Sequence, residues 1–188
     1  MSTRAASVNT PDSGDLLCPD SCGDPGKARF IIDPRPNATE RLSMREGHML
    51  NNVIVPGKSL GGILLGEEVK NVVDRLNGAH LIEYLDKNTL KVDGGVITIY
   101  HDSVDGRIEN LACNAEFHGS YQGKLWPGMT VGDVLKMTKK QMAWCGFVQV
   151  DDIQGVGLPL PGEFDDFEKL IDFLDPEFIF NELWVCSF

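Results

Sequence analysis

The groups in this chain that could do chemistry are few and scattered. Four histidines, His48, His80, His101 and His118, share no metal-ligand spacing. His101 stands beside Asp102 at the end of a strand-like run, a pairing that could work as acid and base in a small hydrolase. A strand-end histidine next to a turn carboxylate explains the same pair without catalysis. Two acidic clusters, Asp151-Asp152 and Glu163-Phe164-Asp165-Asp166, could hold a hard cation or serve a hydrolytic site. The first falls in a turn-like stretch and the second at a helix start, where carboxylates complement the positive end of the dipole. Neither has the alternating ligands of a calcium loop. Cys18 and Cys22 form one close pair with no second pair or histidines to complete a zinc site, and Cys113, Cys145 and Cys186 read as buried free thiols in strand-like segments. Gly57-Lys58-Ser59 ends like a phosphate loop but lacks the glycine and the buried strand that must precede it. The expectation is a protein that is not an enzyme and that holds no metal or cofactor.

The chain offers a repeat in place of a catalytic motif. Gly66-Glu67-Glu68-Val69-Lys70-Asn71-Val72-Val73 recurs as Gly128-Met129-Thr130-Val131-Gly132-Asp133-Val134-Leu135, with glycine, valine and the valine–aliphatic pair in register. A glycine and a leucine lie just upstream of each copy, Gly62 and Leu64 in the first, Gly123 and Leu125 in the second.

The elements around these copies follow from periodicity. Val69, Val72, Val73 and Leu76 fall at helical spacing, stopped by Asn77-Gly78. Strands are predicted at Leu81–Tyr84, Thr89–Val92, Gly95–His101 and Arg107–Asn114, separated by the turn signals Asp93-Gly94-Gly95 and Asp105-Gly106. In the second copy Thr130 and Asp133 form a capping box for a helix that buries Val131, Val134 and Leu135. Strands are predicted at Cys145–Val150, Val156–Leu160 and Phe178–Phe188, with an amphipathic helix carrying Phe164, Phe167, Leu170, Ile171 and Leu174 and ended by Asp175-Pro176. The fold class is α+β: two related helix-plus-antiparallel-sheet units, about residues 53–115 and 116–188, with helices packed on an antiparallel sheet.

Alternation then selects a surface. Phe147, Gln149 and Asp151 share one face of their strand, opposite Val148 and Val150; Glu182, Trp184 and Cys186 oppose Leu183 and Val185. With the aliphatic side on the helices, the other side presents aromatic and acidic groups. The candidate partner-binding residues are Tyr100, Glu109, Phe147, Gln149, Asp151, Asp152 and Trp184, since surface aromatics commonly anchor protein interfaces.

The net charge of −11 argues against nucleic acid or an anionic membrane as partner and favours a basic protein, drawn in over distance. The longest apolar runs are strand-length and the polar N-terminus is no secretory signal, so a cytoplasmic protein, monomeric when free, is expected. Residues 1–49, rich in Pro, Gly, Ser and Asp, read as a flexible leader. Gly47-His48-Met49 resembles a cloning-site remnant, and a natural extension fits equally well; the binding domain is residues 50–188.

The phrases Val55-Pro56-Gly57-Lys58-Ser59-Leu60-Gly61-Gly62-Ile63-Leu64-Leu65-Gly66 and Gly123-Lys124-Leu125-Trp126-Pro127-Gly128-Met129-Thr130-Val131 resemble small bacterial proteins built from units like β-lactamase inhibitor protein. That resemblance, over residues 53–188, implies tandem units whose concave sheet grips another protein. The acidic character is similar to that of immunity proteins encoded beside polymorphic or contact-dependent toxins. The functional expectation is therefore an immunity or inhibitor protein that occludes a cognate basic toxin, a nuclease-type domain. A hydrolase using His101 and Asp102 or the carboxylates near Asp151, and a self-associating structural module, are the alternatives.

Overall fold

Short β-strands at the turn-rich start of residues 50–188 come first: β1 (Ile54–Val55), β2 (Ser59–Leu60) and β3 (Ile63–Leu64) form a three-stranded antiparallel sheet. Helix α1 (Val69–Leu76) follows, then the meander β4 (Ile82–Tyr84), β5 (Thr89–Val92), β6 (Ile97–His101) and β7 (Ile108–Asn114). Helix α2 (Val131–Met137) leads into β8 (Gln141–Trp144), β9 (Phe147–Val150) and β10 (Val156–Pro159). The short α3 (Leu170–Phe173) precedes β11 (Glu182–Cys186). This computed structural model describes residues 50–162 and 166–187; the expected leader, Cys18, Cys22, His48 and the cluster residues 163–165 lie outside them.

Strands β4 to β11 make one eight-stranded antiparallel sheet in the order β4-β5-β6-β7-β11-β10-β9-β8. The described residues are thus mainly β, with three short helices. Alternation decides the core. Leu90, Val92, Ile97, Ile99, Leu111, Val148, Leu158, Leu183 and Val185 point to one side of the sheet and are fully buried. They join Val72 and Leu76 of α1, Val131 and Val134 of α2 and Leu170 of α3 in a single hydrophobic cluster. Each such side chain contributes about 2 kcal/mol relative to exposure, which fixes strand register because a one-residue slip would turn the whole set to water.

The capping box of α2 is present as expected. Thr130 Oγ1 accepts from the Asp133 amide at 3.0 Å, and Asp133 Oδ2 accepts from the Thr130 amide at 3.1 Å. Thr130→Ala removes one of these acceptors, and the expected cost is about 1–2 kcal/mol. A circular-dichroism melt should show it as a drop of about 5 °C.

Four differences from the sequence-based expectation have physical reasons. The strand expected at Cys145–Val150 begins at Phe147, because Cys145 (φ +48°) and Gly146 (φ +80°) form the left-handed turn of the β8–β9 hairpin. Cys145 is therefore exposed, whereas Cys113 is buried and Cys186 partly so. Strand β8 was not anticipated, since Gln141-Met142-Ala143-Trp144 has no alternation and helix-favouring residues; pairing with β9 overrides that preference. The helix expected around 164–174 is a single turn, flanked by extended Lys169 and Leu174; one turn suffices to bury Leu170 beside Phe167 and Leu174.

Candidate functional site

The side of the sheet facing away from the helices carries a band of rings. Tyr100 of β6 stacks on Trp184 of β11, with centroids 4.7 Å apart and planes 20° from parallel. Phe147 of β9 meets the same indole at 5.6 Å in a tilted arrangement. These three residues come from strands that are not neighbours. β7 lies between β6 and β11, and at the register of Trp184 it carries Ala112. β10 lies between β11 and β9, and opposite Trp184 it carries Gly157. A Cβ on Gly157 would lie 2.9 Å from the Phe147 Cβ. Two small residues therefore let three rings bridge five strands. Each ring pair adds about 0.5–1.5 kcal/mol beyond its buried area. Trp144 extends the aromatic surface at the edge strand β8 and is 38% exposed. Trp144, Phe147, Gln149, Gly157 and Cys186 line a shallow, mainly apolar recess.

Polar groups flank the band. The Trp184 indole N–H donates to Glu182 Oε2 at 2.8 Å. The Tyr100 hydroxyl titrates above its ordinary value, through burial first and then the negative charges of Glu182 and Asp86. Asp86, in the β4–β5 turn, accepts from the Asn88 amide at 2.7 Å, and that bond holds its carboxyl below the usual range. Burial pushes the Cys186 thiol up to about 11, so it stays neutral and unreactive at neutral pH.

Of the expected partner-binding residues, Tyr100, Phe147 and Trp184 are brought together; the polar ones are not. Gln149 shares their face but is 8% exposed, and its amide donates to the Ile153 carbonyl at 2.9 Å, bracing the following turn. Asp151 and Asp152 occupy a left-handed turn (φ +49° and +58°), so the alternation that put Asp151 beside Phe147 ends at Val150. The Asp151 carboxylate accepts from the Lys139 and Lys140 amides at 2.8 and 3.0 Å, fixing the start of β8. Asp152 is paired with Lys140 at 2.6 Å. Glu109 is exposed at the β7 irregularity where the register with Tyr100 and His101 shifts.

The amides of Lys139 and then Lys140 hold the Asp151 carboxyl below the usual range, with the Lys124 charge a smaller contribution. A folded-state pKa below the unfolded one gives stability that is complete above about pH 4 and is lost as pH falls through the folded value. Asp151→Asn keeps an oxygen to accept both amides but removes the charge. The expected result is a lower urea midpoint than the parent chain's at pH 7 and a shallower loss between about pH 5 and pH 3, so that the two chains converge in acid. Identical acid limbs would contradict this.

The side chains of His101 and Asp102 do not pair with each other. His101 Nδ1 lies 2.9 Å from the backbone carbonyl of Asp102, while the Asp102 carboxylate accepts from the Val104 and Asp105 amides at 2.6 and 3.0 Å. Among the described residues no three His, Cys, Asp or Glu side chains gather as a metal site, and no helix is long and apolar enough to cross a membrane. Sequence reasoning did not single out Ala112, Gly157 or Asp86. Only strand register reveals the first two, whereas the two-residue spacing of Glu182 and Trp184 already placed them together. No protein-family model matches this chain, and neither a curated protein nor a solved structure matches it.

Proposed function

We propose that this chain is a protein-binding module of the inhibitor or immunity class, which occludes a basic partner protein with the open side of its eight-stranded sheet. The observation that carries the reading is the Tyr100–Trp184–Phe147 band, a rigid apolar surface on the face turned away from the helices. Large rings cost little conformational entropy to hold in place and supply most of the affinity at interfaces, while a net charge of −11 speeds encounter with a cation-rich surface. The partner is a bacterial toxin, a basic nuclease-type domain in the simplest case, neutralised in the cytoplasm.

Two related halves, about 53–115 and 116–188, underlie that surface in this reading. Matching hydrogen bonds support it. The Gly66 amide donates to Ile108 O at the start of β7, and the Gly128 amide to Phe180 O just ahead of β11, both at 2.7 Å. The Ile108 and Phe180 amides return the bond to Glu67 O and Met129 O at 3.0 and 2.8 Å. Val69 and Val131 donate to Gly106 O and Phe178 O at 2.8 and 3.0 Å. Helices α1 and α2 each precede four strands that are consecutive in the sheet, and the last strands of the two sets, β7 and β11, pair at its centre with Ala112 opposite Trp184.

The test is co-expression with the product of the neighbouring gene in bacteria. The expected result is rescue of growth and a 1:1 complex whose association rate falls with salt. Absence of both binding and rescue overturns the reading, and a stable homodimer by light scattering, formed through the same face, would favour the structural alternative.

A further inference from the structure

We propose that the frame around the Tyr100–Trp184 stack is a receptor for an arginine side chain of the partner, an inference that rests on the protein-binding reading above. Two carboxylates flank the stack: Glu182, hydrogen-bonded to the Trp184 indole, and Asp86, whose amide donates to the carbonyl of Thr89, the residue paired with Tyr100. Among the described residues, neither forms an ion pair with a lysine or arginine, whereas Glu67, Asp105, Asp151 and Asp152 each do. Lys91 shares this side of the sheet, being paired with Thr98, but its aliphatic stem and ammonium run beside Gly95. Its ammonium lies there and, among the described residues, forms no ion pair with either carboxylate.

A planar cation fits this chemistry better than a compact one. A guanidinium stacks on an aromatic face, is weakly hydrated, and presents paired N–H donors to a carboxylate edge. Glu182 spends one oxygen, Oε2, on the indole. An indole N–H lies in the plane of the ring, so that bond holds the carboxylate at the ring's edge, adjacent to its π-face. An ammonium would gain the charge but not the stack.

The experiment titrates the full chain, 15N-labelled at its indoles, with N-acetylarginine methylamide and with the matching lysine and citrulline derivatives. The Trp184 indole N–H resonance is the readout. The arginine probe is expected to shift it saturably, the lysine probe to bind about threefold or more weakly, and citrulline to give no saturable response. The double variant Glu182→Gln/Asp86→Asn, which retains oxygen acceptors for the indole and for Asn88, is expected to weaken arginine binding at least about fivefold. Raising salt from about 0.05 to about 0.5 M on the unmodified chain should weaken it in the same direction, without any substitution. Equal responses to arginine and citrulline, no saturable response, or indifference to both the variant and salt would overturn the inference. A chain that neutralises its partner but ignores the arginine probe sinks this inference alone; an arginine response in a chain with no protein partner sinks the wider reading instead.

Discussion

Replacing Gly155 with alanine is expected to lower the melting temperature by about 10 °C. A Cβ at this position would lie 2.2 Å from Gly57 N, 2.4 Å from Gly57 Cα and 2.9 Å from Pro56 C, all backbone atoms that cannot swing aside. The residue also has φ +84°, which an L side chain rarely adopts. Its carbonyl accepts from the Gly57 amide at 2.8 Å and from the Cys186 amide at 3.2 Å, so it pins the β1–β2 turn and the end of β11 to the β9–β10 loop. Strain and displacement together should cost about 3–5 kcal/mol. Gly57→Ala is the control. Its φ is +65°, but its Cβ would meet only ordinary contacts at 3.7 and 3.8 Å, so about 1 kcal/mol is expected. Equal melting shifts for the two variants would contradict the account.

Trp184→Ala carries the largest functional effect. The indole is the shared neighbour of Tyr100 and Phe147, so its removal both deletes the central ring and frees the two beside it. Partner affinity is expected to fall about 100- to 1,000-fold, the range of a central aromatic hot spot. Because the rings act together, Tyr100→Ala in the Trp184→Ala background should cost less than it does alone, by about 0.5–1.5 kcal/mol. Tyr84→Ala provides the comparison: Tyr84 is 65% exposed on the edge strand β4, outside the band, and its loss should change affinity by less than about threefold. If Tyr84→Ala and Trp184→Ala weaken binding alike, the band is not the binding surface.

Much of the sheet was legible in the amino-acid order. Thr89–Val92 and Ile97–His101 alternate apolar with polar or aromatic residues because one side meets the core, while Ile108–Asn114 loses the alternation at the irregularity beside Glu109. The capping box at Thr130 is a local device and was readable for that reason. Strand β8 was not, because its stability comes from β9 and from the Asp151 carboxylate rather than from its own residues. The site divides the same way. Tyr100, Phe147 and Trp184 could be chosen from residue type and period, but their meeting depends on Ala112 and Gly157, whose importance exists only once the strand order β6-β7-β11-β10-β9 is known. Asp151 was misplaced on the aromatic face because alternation says nothing about where a strand turns into a left-handed loop.

The central claim is tested most directly by a footprint of the partner on this chain. In a complex of the isotopically labelled chain with the neighbouring gene's product, the Trp184 indole and the amides of Tyr100, Ala112 and Phe147 should shift, while those of α1 and α2 stay put. Shifts concentrated on α1 and α2, with the Trp184 indole unmoved, would contradict it.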